Sequence, residues 1–194
     1  MTKLGITGTI GSGKSVVSHI FETIGIPVYN ADSAAKKLML QNENIISALK
    51  TRFGNQVYTD DNINKKFLAD KIFNNENDRK FVNSVVHPAV IDDFGRWITE
   101  QQNSDIVAIE SALIFESGID KIIDYTIIVE SPIKLASERI SNRDNISIEE
   151  AIKKINLQLN NLPKKVKADF YIQNDEENSL IIQCLDIINS LKSQ

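Results

Sequence analysis

Gly8-Thr9-Ile10-Gly11-Ser12-Gly13-Lys14-Ser15 follows the apolar run Leu4, Gly5, Ile6, Thr7 and precedes a stretch with helical periodicity. This is the pattern G-x-x-x-x-G-K-[ST] between a strand and a helix, the setting in which it binds phosphate. Its glycines let the backbone curl until successive N–H groups face one set of phosphate oxygens, backed by the positive end of the following helix. Lys14 adds a mobile positive charge for terminal phosphates, and the Ser15 hydroxyl suits Mg²⁺. Reading outward, the helical repeat runs through Val16, Val17, Ile20, Phe21 and Ile24. Gly25 ends it, and Ile26-Pro27-Val28-Tyr29-Asn30 starts a second strand.

Segments rich in β-branched residues recur at about 3–7, 26–30, 105–110, 125–129 and 170–173, with helical patterns between them. This alternation predicts an α/β fold, a five-stranded parallel sheet with helices on both faces. The stretch 32–104 carries more apolar pairs at helical spacing than one crossover needs: Leu38 and Met39, Ile45 and Ile46, Phe67 and Leu68, Phe81 and Val82. It reads as an inserted helical subdomain able to hold a second substrate. Residues 132–160 read as helical with Arg139, Arg143, Lys153 and Lys154, and Lys164, Lys165 and Lys167 follow. Most such charges solvate a helix face, but a phosphate-binding protein needs cations over the group it transfers. The expectation is one domain over 1–194, with core 1–31, 105–131 and 168–194, insertion 32–104 and lid-like segment 132–167.

The 194 residues suffice for one such core, and a net charge of -4 argues against a general nucleic-acid surface. A single cysteine, Cys184, excludes an internal disulfide and a cysteine-based zinc site. It lies at helical spacing among Ile181, Ile182, Leu185, Ile187 and Ile188, so a buried thiol is expected. No window approaches eighteen apolar residues. A soluble, cytoplasmic protein without membrane or nucleic-acid partners is expected, as a monomer or weak homo-oligomer.

Phosphoryl transfer depends on positioning and charge neutralisation, with modest demands on a base. Asp32 is the leading carboxylate, since it follows the second strand at the sheet end where parallel folds bind ligands. Its alternative role is to cap a helix beginning at Ser33. For the second Mg²⁺ ligand the residues leave Glu110, ending the third strand, and Glu116, in the loop after it, either of which is otherwise an exposed loop carboxylate. His87 precedes Pro88, which suits the first turn of a helix from Pro88 to Gln102 and makes His87 a residue beside a helix start.

These residues together resemble the bacterial dephospho-coenzyme A kinase family. The resemblance rests on Gly5 to Ser15, Asn30-Ala31-Asp32, Ile63-Asn64-Lys65, Ile72-Phe73, His87-Pro88-Ala89-Val90-Ile91, Ala112-Leu113-Ile114-Phe115-Glu116, Arg143-Asp144, Gln158, Lys164, and Ala168-Asp169 leading to Asn174. It implies transfer of the ATP γ-phosphoryl group to the ribose 3′-hydroxyl of dephospho-coenzyme A, with Mg²⁺, as the last step of coenzyme A biosynthesis. On the same ground Asp32 is the expected base, and Gly8 with Gly11, Ser12, Gly13, Lys14, Ser15 and Val16 holds the ATP phosphates. Arg139, Arg143 and Lys164 neutralise charge from the lid-like part, and Asn174 lies near the adenine. Lys65, His87 and Leu113, Ile114, Phe115 and Glu116 are candidates for the acceptor side. The chain departs from the family at Thr9, which replaces a glycine, at Asn30, which replaces an aspartate, and at Ala112, which replaces a proline. Two other readings are a kinase for a nucleoside monophosphate or another alcohol, and a GTP-dependent switch. The switch needs Asn-Lys-x-Asp, and Asn142-Arg143-Asp144 has neither the lysine nor the spacing.

Overall fold

The strands in chain order are β1 (Thr2–Thr7), β2 (Val28–Asn30), β3 (Tyr58–Thr59), β4 (Asn62–Ile63), β5 (Ile106–Glu110), β6 (Tyr125–Glu130) and β7 (Phe170–Gln173). The helices are α1 (Lys14–Thr23), α2 (Ala31–Gln41), α3 (Glu43–Phe53), α4 (Lys65–Asn74), α5 (Glu76–Glu100), α6 (Ile114–Ser117), α7 (Ile133–Asp144), α8 (Ile148–Asn161) and α9 (Leu180–Lys192). The computed structural model describes residues 1–161 and 168–193. It divides into two compact units, Met1–Tyr29 with Gln101–Gln194, and Asn30–Glu100.

The first unit is built on a five-stranded sheet of order β2-β5-β1-β6-β7. β1 runs parallel to β5 and β6, and β6 runs parallel to β7. Every residue of β5 is buried, as expected of a central parallel strand covered on both faces. The register sets Leu4 beside Ala108 and Ile6 beside Glu110, so the β5 carboxylate emerges level with the end of β1, where the glycine-rich loop begins. Leu4, Ile6, Val17, Phe21, Ile127, Val129, Ile172 and Cys184 are almost wholly buried in one cluster. At about 1.5–3 kcal/mol for each large aliphatic or aromatic side chain, such burial outweighs any single hydrogen bond in fixing the sheet. A Cβ on Gly5 would push aside the Cδ1 methyls of Ile123 and Ile114, which close over this strand position.

α1 stops as its sequence predicts. Gly25 has φ +89, its N–H donates to Glu22 O, and Ile26 N–H donates to Phe21 O, the paired bonds of a glycine-closed helix end. On α9, Cys184, Ile187 and Ile188 are buried while Ile181, Ile182 and Leu185 are exposed, so only part of the apolar group around the cysteine is core. The region expected to be helical over 132–160 is two helices. They part at Asn145, which adopts a left-handed conformation, and Ser147 and Glu150 close a capping box at the start of α8. α7 and α8 share a small core of Ala136, Ile140, Ala151 and Ile155.

The second unit is helical around Ile45, Leu49, Phe53, Val57, Leu68, Val82, Val86, Val90 and Phe94. It also holds a hairpin that the helical reading of 32–104 did not include: β3 and β4 pair antiparallel across Asp60 and Asp61, both with positive φ. Aspartate tolerates that conformation, and two such residues in succession make the turn a short hairpin requires. Arg52 donates through Nε and Nη2 to Asp78 Oδ1 at 2.9 and 2.7 Å, and its guanidinium lies over the Phe81 ring.

Pro88 corrects a second expectation. It does not open a helix but lies within α5, which continues from Glu76 to Glu100. The buried residues Asp78, Val82, Val86, Val90 and Phe94 recur every fourth position across the proline, and this packed stripe carries the helix through the lost backbone hydrogen bond. His87 is therefore a half-buried mid-helix residue, and burial lowers its pKa. Asp32 is likewise not the cap of α2. Asn30 is the N-cap, its side chain accepting from Ser33 N–H at 2.8 Å, and Asp32 lies exposed in the first turn.

Candidate active site

The loop from Gly8 to Gly13 leaves β1 and turns into α1 through three glycines at positive φ, Gly8 at +151, Gly11 at +78 and Gly13 at +96. All three are also pressed from outside, Gly11 by the Ala136 carbonyl of α7. A Cβ on Gly8 would run into the Val129 carbonyl, and one on Gly13 into the Asn174 side chain. Thr9, in place of a family glycine, needs no left-handed backbone, since it is not among the described residues of positive φ. The substitution therefore carries no backbone strain.

Lys14 arches back over the loop, donating from Nζ to Gly8 O at 2.9 Å and Thr9 O at 3.1 Å. This keeps its charge above the amides. Ser15, at the start of α1, donates from Oγ to Glu110 Oε1 at 2.9 Å. Glu110 is only 6% exposed, so it is not the exposed loop carboxylate that was its alternative reading; the parallel register carries it to the serine. Ser12 is fully buried, and its Oγ has no hydrogen-bond partner among the described residues. Val16 is half exposed.

Asn174 follows β7 and is buried. Its Nδ2 donates to Ser12 O at 2.8 Å, while its Oδ1 accepts from Arg139 Nη2 at 3.4 Å. Arg139 also reaches Ser131 Oγ at 3.2 Å and Glu176 Oε1 at 3.3 Å. Arg143 points elsewhere, its Nε donating to Asp144 Oδ1 at 2.8 Å. That hydrogen bond, with help from Lys154, draws the Asp144 carboxyl down to about 2 and raises the Arg143 pKa. Lys164 lies outside the described residues.

Beside the loop is a cavity of about 560 Å³, lined by Gly8, Thr9, Phe115, Glu130, Ile155 and Tyr171 among others. In the segment expected to face the acceptor, Phe115 lines this cavity and Leu113 is part-exposed. Ile114 is fully buried against Gly5 of β1 and presents no surface to a ligand. Glu116 is exposed in α6, where partial loss of solvent around the carboxyl raises its pKa. Asp32, Lys65 and His87 belong to the second unit, where Lys65 is exposed at the first turn of α4, capped by Asn64.

Two contacts lay beyond the residue reading. Glu110 was one of two candidate carboxylates, and strand register is what brings it to Ser15. Gln158 had no role assigned, yet its Oε1 accepts from Ile10 N–H at 2.7 Å. No local pattern announces a bond spanning 148 positions.

A parallel sheet whose first strand runs into a glycine-rich loop, with a lysine folded over it and a hydroxyl–carboxylate pair beside it, defines a phosphate-loop nucleotide-binding protein. The family model described as dephospho-CoA kinase matches residues 2–179. A dephospho-CoA kinase of Bacteroides fragilis (strain YCH46) is 39% identical over 186 residues, covering 96% of this chain and 91% of that protein. One of Porphyromonas gingivalis (strain ATCC BAA-308 / W83) is 37% identical over 195 residues, covering 100% and 96%. The solved structure of a dephospho-CoA kinase from Campylobacter jejuni has a TM-score of 0.66 at 27% identity, covering 97% of this chain and 96% of that one. The chain belongs to the dephospho-CoA kinase family. It is an ATP-dependent phosphotransferase, and the family reaction is phosphorylation of dephospho-coenzyme A in coenzyme A biosynthesis.

Proposed function

We propose that the chain transfers the γ-phosphoryl group of ATP to the ribose 3′-hydroxyl of dephospho-coenzyme A, with Mg²⁺. The observation that carries this reading is the loop itself: positive-φ glycines, Lys14 arched over the amides and Ser15 joined to Glu110. The loop amides hold the β- and γ-phosphates through N–H groups that no longer need to reorganise when charge builds up on the transferred group. Lys14 exchanges its two carbonyl acceptors for phosphate oxygens, a stronger charge-assisted bond.

The Ser15 hydroxyl and the Glu110 carboxylate, 2.9 Å apart, are hard oxygen donors of the kind Mg²⁺ takes, Ser15 directly and Glu110 through the hydroxyl or a water. Bound there, the ion would supply charge neutralisation on the phosphate oxygens. Asp32 accepts or orients the proton of the acceptor hydroxyl, a role assigned from its place in the Asn30-Ala31-Asp32 motif. Asp32 is exposed in the first turn of α2. Arg139 and Arg143 neutralise charge on the donor, and Arg143 must first exchange its bond to Asp144. Asn174 holds the loop from the adenine side. Lys65, His87, Leu113, Phe115 and Glu116 remain the acceptor-side candidates.

Measuring ADP release with dephospho-coenzyme A, AMP, CMP and adenosine as alternative acceptors tests the reading. Turnover confined to dephospho-coenzyme A is the expected result. A preference for AMP or CMP would make the chain a nucleoside monophosphate kinase.

A further inference from the structure

Three consecutive loop residues are fixed by parts of the chain remote in sequence. Ile10 N–H donates to Gln158 Oε1 of α8 at 2.7 Å, and the Ile10 side chain packs against the small core shared by α7 and α8. Gly11 lies directly on α7, where a Cβ would stand 2.6 Å from Ala136 O. Ser12 O accepts from Asn174 Nδ2 at 2.8 Å. Of these ties only the first turns an amide of the loop itself.

We infer that Gln158 is a positioning residue for the phosphate loop: its side-chain oxygen directs the Ile10 N–H toward α8 and so fixes the curl that aims the following amides at one point. The inference rests on the phosphate-loop reading. Its chemistry explains the residue type. The Ile10 amide needs an acceptor, which excludes lysine, arginine and aliphatic side chains at 158. A glutamate would accept equally well but would add a negative charge beside the polyphosphate. Glutamine is the long side chain that offers a neutral carbonyl. Because Gln158 sits in α8 and Ile10 in the loop, a shift of α8 also turns the loop.

The test compares wild-type chain with Gln158→Met, which keeps length and volume but removes the acceptor, and Gln158→Glu, which keeps it. Hydrogen exchange of the Ile10 amide is followed by NMR, and ATP affinity by calorimetry with Mg²⁺. In Gln158→Met the Ile10 amide should lose protection while the β5 amides keep theirs, and the Kd for ATP should rise about tenfold, the scale of one buried hydrogen bond. In Gln158→Glu the amide should stay protected. An Ile10 amide as protected in Gln158→Met as in wild type, or an unprotected amide with unchanged ATP affinity, overturns the inference. The exchange readout needs no nucleotide, so its failure is distinct from failure of the phosphate-loop reading, which the wild-type chain would reveal by giving no heat with ATP.

Discussion

Ser15 Oγ lies 2.9 Å from Glu110 Oε1, a bond between the first turn of α1 and the last residue of β5. It exists because β1 and β5 pair in a register that sets Glu110 beside Ile6, two strands' ends brought level by the parallel ladder. Replacing Glu110 with Gln preserves an acceptor for the hydroxyl and removes the charge. The Mg²⁺ concentration giving half-maximal activity should then rise about tenfold, since bonds to charged groups are roughly twice as strong as neutral ones. A magnesium titration of ADP release checks this, and an unchanged curve would restrict Glu110 to orienting the hydroxyl.

Lys14→Ala removes the ammonium group that arches over the loop. Turnover should fall by about 10²–10³, the cost of losing one preorganised charge-stabilising donor in a water-poor site. The thermal midpoint should change far less than turnover, because the side chain is only part-buried and donates to two loop carbonyls. Comparing kcat with the melting temperature separates the two, and near-normal turnover would contradict the loop's role.

Asp32→Asn should lower kcat by about 10²–10⁴ if the carboxylate works on the acceptor proton. Stability should fall by less than loss of the cap, Asn30, would cost. The complementary change Asn30→Ala should cost about 1 kcal/mol of stability, the usual worth of an N-cap. Urea unfolding and steady-state kinetics on both variants test this division, which an equal stability loss in Asp32→Asn would refute.

Burial holds the His87 imidazole below its ordinary pKa of 6.5. On the acid side the unfolded chain therefore binds a proton that the folded chain resists, so the contribution of His87 is full above about 6.5 and is lost as pH falls through the lowered folded value. His87→Gln should flatten the acid limb of stability between about pH 7 and pH 5. Urea midpoints across that range are the measurement, and an identical slope in both proteins would show that His87 carries none of it.

The glycine-rich stretch was legible because its geometry is local: positive-φ positions, a lysine and a hydroxyl at fixed offsets need no distant partner to be recognised. The five strands were legible through alternation of β-branched segments with helical periods. The Asp60-Asp61 hairpin was hidden because neither residue is a glycine, and the apolar pairs around it suggested helix alone. Pro88 misled for a different reason. Proline usually marks a helix start, and only the buried stripe from Asp78 to Phe94 overrides that preference.

Sequence alone determined the phosphate loop, the sheet class and the family resemblance, since each rests on residues close together or in fixed order. Tertiary structure decided which carboxylate meets Ser15, that Asn174 and Gln158 hold the loop from two sides, and that Ile114 is buried. Those facts depend on strand register and on helices packing across 95 to 162 positions of chain. Such encounters are fixed by the free energy of burying the whole core, which no local pattern encodes.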